Sequence, residues 1–421
     1  MNKLRQIFLV ILLGLSTVAN ANKGVIRILA IGNSFSEDAI ENNLYDLAAA
    51  DGRKTVVANM YIGGCSLKRH LDNARDNNDA YRYRKVGLDG IRRQTDRMTL
   101  ERAIKDEKWD YISLQQASGL SGFYDTYTPF LPALVSYVRN NAPKGCKLLW
   151  HQTWSYSKDS SHEAFKNYNK DQMKMYHAIM DCSRRAVEDN KLSMVIPSGT
   201  AVQNARTSFI GDNMNRDGYH LNMVYGRYTA ACTWYEAIFQ RSVIGNSYAP
   251  EGLHRDIVRA AQNAAHEAVI HPYEVTDLSS LKSSEVLYKN PSIPTEIRIN
   301  DLISRMNLNE KILQLNQYTL GTNNIENNKG DEVKNIPAEI GSLIYFSTGP
   351  ELRNQMQRHA IDDSRLGIPI LFGYDCIHGF RTIFPIPLAH AEMLEDILEH
   401  IVSSDFTNDV AEVINAFADI L

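Results

Sequence analysis

A serine, an aspartate and a histidine are the residues of this chain best suited to covalent chemistry. Ser34 follows an apolar segment in Gly-Asn-Ser-Phe-Ser, and Asp217 precedes His220 by three residues in Asp-Gly-Tyr-His. A carboxylate at that spacing can hold an imidazole in the tautomer that takes a proton from a serine hydroxyl. The pattern predicts Ser34 as nucleophile, His220 as base and Asp217 as the orienting group. Taken alone, the serine turn is equally typical of a strand-to-helix connection, and the histidine of an ordinary hydrogen-bonded side chain.

Acyl transfer also needs hydrogen-bond donors for the developing oxyanion. Gly63 and Gly64 follow a second apolar run, where backbone N–H groups can approach a substrate closely. Gln115 and Gln116 follow a third such run. We predict Gln116 as a side-chain oxyanion donor and Gln115 as a substrate-binding residue. Taken singly, a turn and a polar loop are the simpler explanations of these two pairs.

Short β-branched runs and amphipathic stretches alternate along the first two thirds of the chain. The strands are predicted at 25–31, 55–61, 109–114, 147–150 and 194–197, with helices that include 38–50, 99–107, 129–140 and 171–188. This alternation predicts an α/β fold with a parallel sheet covered by helices on both faces. Ligands bind at the carboxyl ends of the strands in such sheets. The candidate catalytic residues follow strand ends, so we expect them to meet at one edge.

The composition excludes several classes of protein. The chain has 421 residues, 44% hydrophobic and 22% charged, and a net charge of −4, which suits a globular protein of more than one domain. No basic block is present, so nucleic acid is not an expected partner. The five cysteines lack C-x-x-C spacing and allow at most two disulfides. His151, Asp159 and His162 lack the spacing of a zinc site, so we predict no metal and no cofactor.

The N-terminus has the features of a signal peptide. Lys3 and Arg5 precede an apolar run over 7–15, and Ala19-Asn-Ala21 matches a signal peptidase site. An uncleaved anchor is the alternative, but the run is about half the ~20 residues that a spanning helix needs. We therefore expect residues 1–21 to be removed, leaving a periplasmic or secreted protein without stable membrane insertion.

Composition changes suggest two domains. Residues 276–294 are rich in Ser, Pro and charge, which predicts a linker between a domain over 22–275 and a second domain over 295–390. A helix is predicted over 297–317. The last segment, 391–421, carries eight carboxylates and no Lys or Arg. We interpret it as a divergent acidic tail.

Five sequence blocks resemble the SGNH (GDSL-like) hydrolase superfamily, and more closely the domain-of-unknown-function family 4886. They are Ile-Gly-Asn-Ser-Phe-Ser, Tyr-Ile-Gly-Gly-Cys-Ser-Leu, Ser-Leu-Gln-Gln-Ala-Ser-Gly, His-Gln-Thr-Trp and Arg-Asp-Gly-Tyr-His-Leu, within residues 25–270. The resemblance implies a flavodoxin-like three-layer domain with the triad Ser34, Asp217 and His220. It also implies oxyanion donors from the backbone of Ser34 and of Gly63 or Gly64. The usual Gly-x-Asn-Asp block reads Gln-Gln-Ala-Ser here.

Residues 295–390 resemble the start of a glycoside hydrolase family 3 β-glucosidase, whose N-terminal domain is a TIM-like barrel. The clearest block is Gly-Tyr-Asp-Cys-Ile-His-Gly around Asp375. The resemblance implies that Asp375 binds sugar hydroxyls where the glycosidic bond is cut, whereas in a fragment it could simply cap a loop. The family's nucleophile lies far downstream of this block, and the chain has 46 further residues. We expect an incomplete barrel without β-glucosidase activity.

The combined prediction is an exported SGNH-type esterase that acts on acylated, for instance acetylated, carbohydrate. Flat aromatic side chains in loops near the active edge would suit sugar rings. Trp154 is predicted to bind substrate, and the other aromatic residues in or beside loops at this edge are Phe123, Tyr124, Tyr127, Trp150, Tyr156 and Tyr168. Packing of long loops is the alternative explanation of these rings. Two alternatives stay open: a β-glucosidase in the intact gene product, served by the first domain, and a non-catalytic glycan-binding module.

Overall fold

The computed structural model describes residues 24–281, 283, 286–320, 333, 335–345 and 350–373. These residues belong to two compact units that divide between Ser304 and Arg305. The predicted signal peptide, the acidic tail and Asp375 lie outside the described residues. No helix in the described part of the chain is long and apolar enough to cross a membrane.

The first unit contains a seven-stranded sheet in the order β4-β3-β2-β1-β5-β6-β7. The strands are β1 Ile26–Gly32, β2 Thr55–Tyr61, β3 Tyr81–Val86, β4 Arg92–Met98, β5 Tyr111–Leu114, β6 Lys147–His151 and β7 Met194–Ile196. All five predicted strands are present and parallel to one another. The antiparallel edge hairpin β3–β4 was not predicted. From β1 the sheet first grows on one side through β2, β3 and β4, and then on the other side through β5, β6 and β7. This change of direction leaves a crevice at the carboxyl end of β1.

Helices cover both faces of this sheet. In chain order the helices of the first unit are α1 Ser34–Ile40, α2 Leu44–Ala50, α3 Leu67–Arg75, α4 Leu100–Asp106, α5 Phe130–Asn141, α6 Gln172–Asp189, α7 Ser198–Thr207, α8 Tyr225–Phe239, α9 Arg255–Ile270 and α10 Thr295–Arg305, whereas α11 Leu308–Gln314 and α12 Pro350–Arg358 belong to the second unit. On β1, Ile28 and Ala30 pack with α1, α2, α7, α8 and α9, whereas Leu29 and Ile31 pack with α3, α4 and α5. Burial on both faces explains the continuous apolar run of β1. The predicted α/β class with a parallel-dominated sheet is confirmed.

The segment predicted as a linker packs against the first unit instead. Leu278, Leu287 and Ile293 are buried in its core together with Ile297 of α10. The backbone N–H of Leu278 donates to Thr207 Oγ1 at 2.7 Å. Because these apolar residues are widely spaced in a segment rich in Ser and Pro, the composition did not indicate that they are buried. The boundary between the units therefore falls about ten residues later in the chain than the sequence indicated.

The second unit contains three parallel strands, β8 Gln317–Leu320, β9 Ser342–Tyr345 and β10 Leu371–Gly373, in the order β10-β9-β8. A small apolar cluster that includes Ile340, Leu343, Met356 and Ile370 packs beside them. The single helix predicted over 297–317 is two helices, because Asn307 begins α11 with a capping box closed by Glu310.

Candidate active site

Ser34 is the first residue of α1, directly after β1. Asn33 is the N-cap: its backbone is extended and its Oδ1 accepts a hydrogen bond from the N–H of Phe35 at 2.9 Å. Gly32 leaves room for this turn, since a Cβ there would lie 2.4 Å from Ser36 Oγ. The tight connection holds Ser34 at the carboxyl edge of the sheet.

Ser34, His220 and Asp217 form a continuous chain of hydrogen bonds. Ser34 Oγ lies 2.9 Å from His220 Nε2, and His220 Nδ1 lies 2.7 Å from Asp217 Oδ2. Because an ionised carboxylate can only accept, Nδ1 carries the ring proton and Nε2 is free to accept the serine proton. The structure therefore brings the three predicted catalytic residues together in the order that acyl transfer requires.

The loop around Asp217 favours the ionised carboxylate. Its other oxygen, Oδ1, accepts the backbone N–H groups of Tyr219 at 3.2 Å and His220 at 2.8 Å. Partial burial opposes ionisation, but the hydrogen bonds from His220 and Tyr219 outweigh it and lower the pKa of Asp217. Gly218 has φ +87°, a conformation that other residues rarely adopt, and it lets the loop turn between acid and base.

Asp38 is a positioning residue that sequence reasoning missed. It lies four residues after Ser34 on α1, so both side chains project from one face of the helix, and it is 1% exposed. Its carboxylate accepts the N–H of Leu221 at 2.9 Å and also pairs with Arg216 and Arg227. Asp38 thereby joins the helix that begins at Ser34 to the loop that carries His220. The i, i+4 spacing from Ser34 was the available sequence signal.

Backbone N–H groups are available as oxyanion donors beside the nucleophile. Gly63 and Gly64 line the same cavity as Ser34, and no described residue accepts a hydrogen bond from the N–H of any of the three. Asn33 Nδ2 donates to the carbonyl of Cys65 at 3.1 Å, which ties the glycine loop to the nucleophile turn. These groups can stabilise negative charge on a substrate carbonyl oxygen.

The cavity at Ser34, called the Ser34 pocket below, has a volume of about 640 Å³. Its lining combines small, aromatic and polar residues, including Gly63, Gly64, Tyr61, Tyr219, Ser118, His162, Asn167 and His220. Within the described residues, no group of three or more His, Cys, Asp or Glu side chains is arranged to hold a metal ion. Cys65, Cys146, Cys182 and Cys232 are free thiols.

Comparison with known proteins identifies the family. The family described as "Domain of unknown function (DUF4886)" matches residues 27–268. The chain belongs to the DUF4886 family. A solved DUF4886 protein from Bacteroides uniformis ATCC 8492 is 54% identical, covers 62% of this chain and 100% of its own, and has a TM-score of 0.61.

Two further similarities are more limited. The acetylxylan esterase Axe2 from Geobacillus stearothermophilus covers 54% of this chain and 97% of its own at 11% identity and a TM-score of 0.33, which does not establish a shared function. A periplasmic beta-glucosidase of Salmonella typhimurium is 35% identical over 111 residues, or 26% of this chain. The chain spans only 14% of the length of that relative.

Gln116 does not line the Ser34 pocket of this DUF4886 domain, contrary to the sequence prediction. Its Oε1 accepts the N–H groups of Leu67 at 3.0 Å and Ala117 at 2.9 Å. Its Nε2 donates to the carbonyl and hydroxyl oxygens of Thr126, both at 3.1 Å. All hydrogen-bonding groups of this buried amide are engaged by Leu67, Ala117 and Thr126. The amide is therefore not available as an oxyanion donor.

Gln115 is buried, supports the turn before Ser34 and does not line the Ser34 pocket, so its predicted contact with substrate is not present. Its Nε2 donates to Asn33 Oδ1 at 2.8 Å, and its Oε1 accepts from His151 Nδ1 at 2.7 Å. His151 Nε2 then accepts the hydroxyl of Ser198 at 3.1 Å. Burial lowers the pKa of His151 to about 3, so this ring is neutral. The DUF4886 domain thus holds Asn33 through a buried chain of polar side chains.

Trp154 lies in the protein interior, so its ring cannot stack on a sugar as the sequence predicted. It is fully buried, stacks on Phe35 with ring centroids 4.2 Å apart, and donates from Nε1 to the carbonyl of Tyr219 at 2.7 Å. Most of the other aromatic residues predicted at the active edge are also buried: Tyr127, Trp150, Tyr156 and Tyr168. The aromatic rings that line the pocket belong to Phe35, Tyr61 and Tyr219.

Proposed function

We propose that the DUF4886 domain of this chain is a serine hydrolase that cleaves esters by acyl transfer through Ser34. The observation that carries the proposal is the hydrogen-bond chain from Ser34 through His220 to Asp217, at 2.9 and 2.7 Å. Ser34 and His220 also line a pocket beside backbone N–H groups that have no acceptor in the described part of the chain. Nucleophile, base and oxyanion donors are the complete set that this reaction requires.

The mechanism follows from these positions. Ser34 Oγ attacks the ester carbonyl carbon and gives its proton to His220 Nε2, while the N–H groups of Ser34, Gly63 and Gly64 stabilise the oxyanion. When the tetrahedral intermediate collapses, the alcohol leaves with the proton from His220. Water then attacks the acyl-enzyme with His220 again as base, which releases the carboxylic acid and restores the serine.

Acylated carbohydrate is the substrate class that we propose for this site. The Ser34 pocket is open and mixes the rings of Tyr61 and Tyr219 with polar side chains, a combination suited to sugars. The basic, apolar and small-residue segments over 1–21 support export, so the substrate would be met in the periplasm or outside the cell.

Hydrolysis of 4-nitrophenyl acetate by the full chain tests the proposal. Ser34→Ala and His220→Ala should each lower kcat/KM by at least ~10³-fold, because the members of a triad act as a unit. Ser118→Ala is the matched control, since Ser118 lines the same pocket but its hydroxyl bonds to Tyr156. Equal, measurable activity in wild type and Ser34→Ala would overturn the proposal, and a wild-type protein without hydrolysis above the uncatalysed rate would overturn it in favour of a non-catalytic glycan-binding module.

We propose a β-glucosidase activity as the second candidate. The 35% identity to the Salmonella enzyme over 111 residues supports it. Turnover of an aryl β-glucoside that disappears with Asp375→Ala but persists with Ser34→Ala would establish this activity.

A further inference from the structure

His162 lines the Ser34 pocket without a part in the acyl transfer described above. It precedes the 3₁₀ helix Glu163–Tyr168, and its Nδ1 accepts the backbone N–H of Ala164 at 3.1 Å. A backbone amide can only donate, so Nδ1 has no proton. Burial, together with the nearby His220, lowers the pKa of His162 from its usual value of 6.5, and the ring is neutral at pH 7. The single ring proton is therefore on Nε2.

The Nε2–H group of His162 has no acceptor among the residues that the structure describes. Asn167, on the same 3₁₀ helix, also lines the pocket with an exposed side chain. This segment therefore offers two side-chain N–H donors to whatever occupies the cavity. Capping of the 3₁₀ helix uses only Nδ1, so Nε2 is free to donate into the pocket.

Ring packing places His162 on the wall that carries the base. The ring of His162 meets Tyr219 edge-on at a centroid distance of 4.6 Å, and Tyr219 packs on His220 at 4.0 Å. In acyl transfer the base delivers its proton to the leaving oxygen. Groups on the wall of His220 consequently face the alcohol half of an ester.

From this placement we infer that His162 donates a hydrogen bond from Nε2 to a hydroxyl or ring oxygen in the alcohol half of the substrate. The site then selects esters of sugars and other polyhydroxy alcohols over esters of apolar alcohols of the same size. This inference rests on the proposed hydrolase function. It assigns His162 as a specificity-determining residue.

Two substitutions distinguish the role of the Nδ1 acceptor of His162 from that of its Nε2 donor. His162→Asn keeps an acceptor near the position of Nδ1 and removes the Nε2 donor, whereas His162→Gln places an amide near Nε2 and loses the capping acceptor. Two acetate esters of primary alcohols on six-membered rings serve as substrates: methyl 6-O-acetylglucoside, and cyclohexylmethyl acetate, which has neither the ring oxygen nor the hydroxyl groups.

The wild-type protein should prefer the sugar ester. His162→Asn should lower kcat/KM for it by about tenfold, mainly through KM, as one neutral hydrogen bond would. His162→Gln should stay within about threefold of wild type on the sugar ester, and both variants should hydrolyse cyclohexylmethyl acetate at the wild-type rate.

Three results would overturn the inference. One is the reverse pattern, in which only His162→Gln loses activity, because this would show a capping role alone. Equal losses on both esters, with or without a lower melting temperature, would show a general disturbance of the site. A wild-type preference for the apolar ester is the third. Failure of the proposed function is a different result, since the wild-type protein would then hydrolyse neither ester.

Discussion

Asp38 and Arg216 form an ion pair at 3.0 Å that joins the helix beginning at Ser34 to the loop carrying His220. The two residues are 178 positions apart in the chain. Arg227 pairs with the same carboxylate at 2.7 Å. Ser34 and His220 are 186 positions apart in the chain, so their 2.9 Å contact depends on connections of this kind.

Replacing Asp38 should lower kcat, although Asp38 does not line the Ser34 pocket. Asp38→Asn removes the buried charge opposite Arg216 and Arg227, and we expect kcat on 4-nitrophenyl acetate to fall by ~10- to 100-fold with little change in KM. Asp38→Glu should recover part of the loss. Glu37→Gln is the control on the same helix, since Glu37 pairs with Arg84 instead. A wild-type kcat in Asp38→Asn would contradict the positioning role.

Gln116→Ala should reduce stability more than turnover. The substitution leaves the N–H groups of Leu67 and Ala117 without their acceptor, which costs ~1–3 kcal/mol of unfolding free energy for a buried group. Urea unfolding at pH 7 measures the effect. Gln116→Glu keeps the acceptor oxygen for Leu67 and Ala117 but replaces the donor to the Thr126 carbonyl with a second acceptor at a buried position, so it should lose stability as well. If kcat of Gln116→Ala fell by ~10² or more with unchanged stability, the amide would be an oxyanion donor after all.

His151 should make the folded state sensitive to acid. Burial lowers the pKa of His151 to about 3, so below pH 6.5 the unfolded chain binds a proton that the folded chain does not. The unfolding free energy should therefore fall by ~1.4 kcal/mol per pH unit for this group between pH 6.5 and pH 3. His70 behaves in the same way, since burial and Arg69 lower its pKa to about 3.

Urea unfolding of wild type and His151→Asn at pH 7, 6 and 5 isolates this contribution. The stability difference between the two proteins should shrink as the pH falls. His177→Asn, at an exposed position on α6, should give a curve parallel to wild type. A constant difference between wild type and His151→Asn would exclude a depressed pKa at His151.

The position of a C-terminal truncation should decide the stability of the first unit. A chain that ends at Lys289 lacks Ile293 and Ile297, both buried in that core, and each lost side chain costs ~1.5–3 kcal/mol. A chain that ends at Ser304 keeps both. We expect the longer chain to melt at the temperature of the full protein and the shorter one several degrees lower, by calorimetry. Equal melting temperatures would contradict the observed boundary.

Local patterns were enough to predict the parallel strands and the meeting of Ser34, His220 and Asp217 at their carboxyl edge. Ser34 and the Asp217-to-His220 block each lie in a short segment whose geometry is set by neighbours in sequence, and parallel strands bring such segments to one edge. The hairpin β3–β4 was missed because it carries little apolar signal: β3 buries Tyr81, Tyr83 and Val86 between polar residues, and β4 is exposed except at Met98.

The errors concern side chains whose direction is set by distant partners. Whether the amide of Gln116 points into the pocket depends on Leu67 and Thr126, which no spacing around Gln116 reveals. Trp154 follows a strand end, as a substrate-binding residue would, but Phe35 covers its ring. Tertiary hydrogen bonds and stacking of this kind lie beyond what periodicity and motifs can predict.

Labelling with a fluorophosphonate tests the central claim most directly, because the reagent reacts covalently only with an activated serine. The full chain is treated at pH 7.5, digested and mapped by mass spectrometry, with Ser34→Ala, His220→Ala and Ser118→Ala in parallel. The account predicts one label, on the peptide that contains Ser34, lost in the first two variants and kept in Ser118→Ala. An unlabelled wild-type protein, or a label that persists in Ser34→Ala, would contradict it.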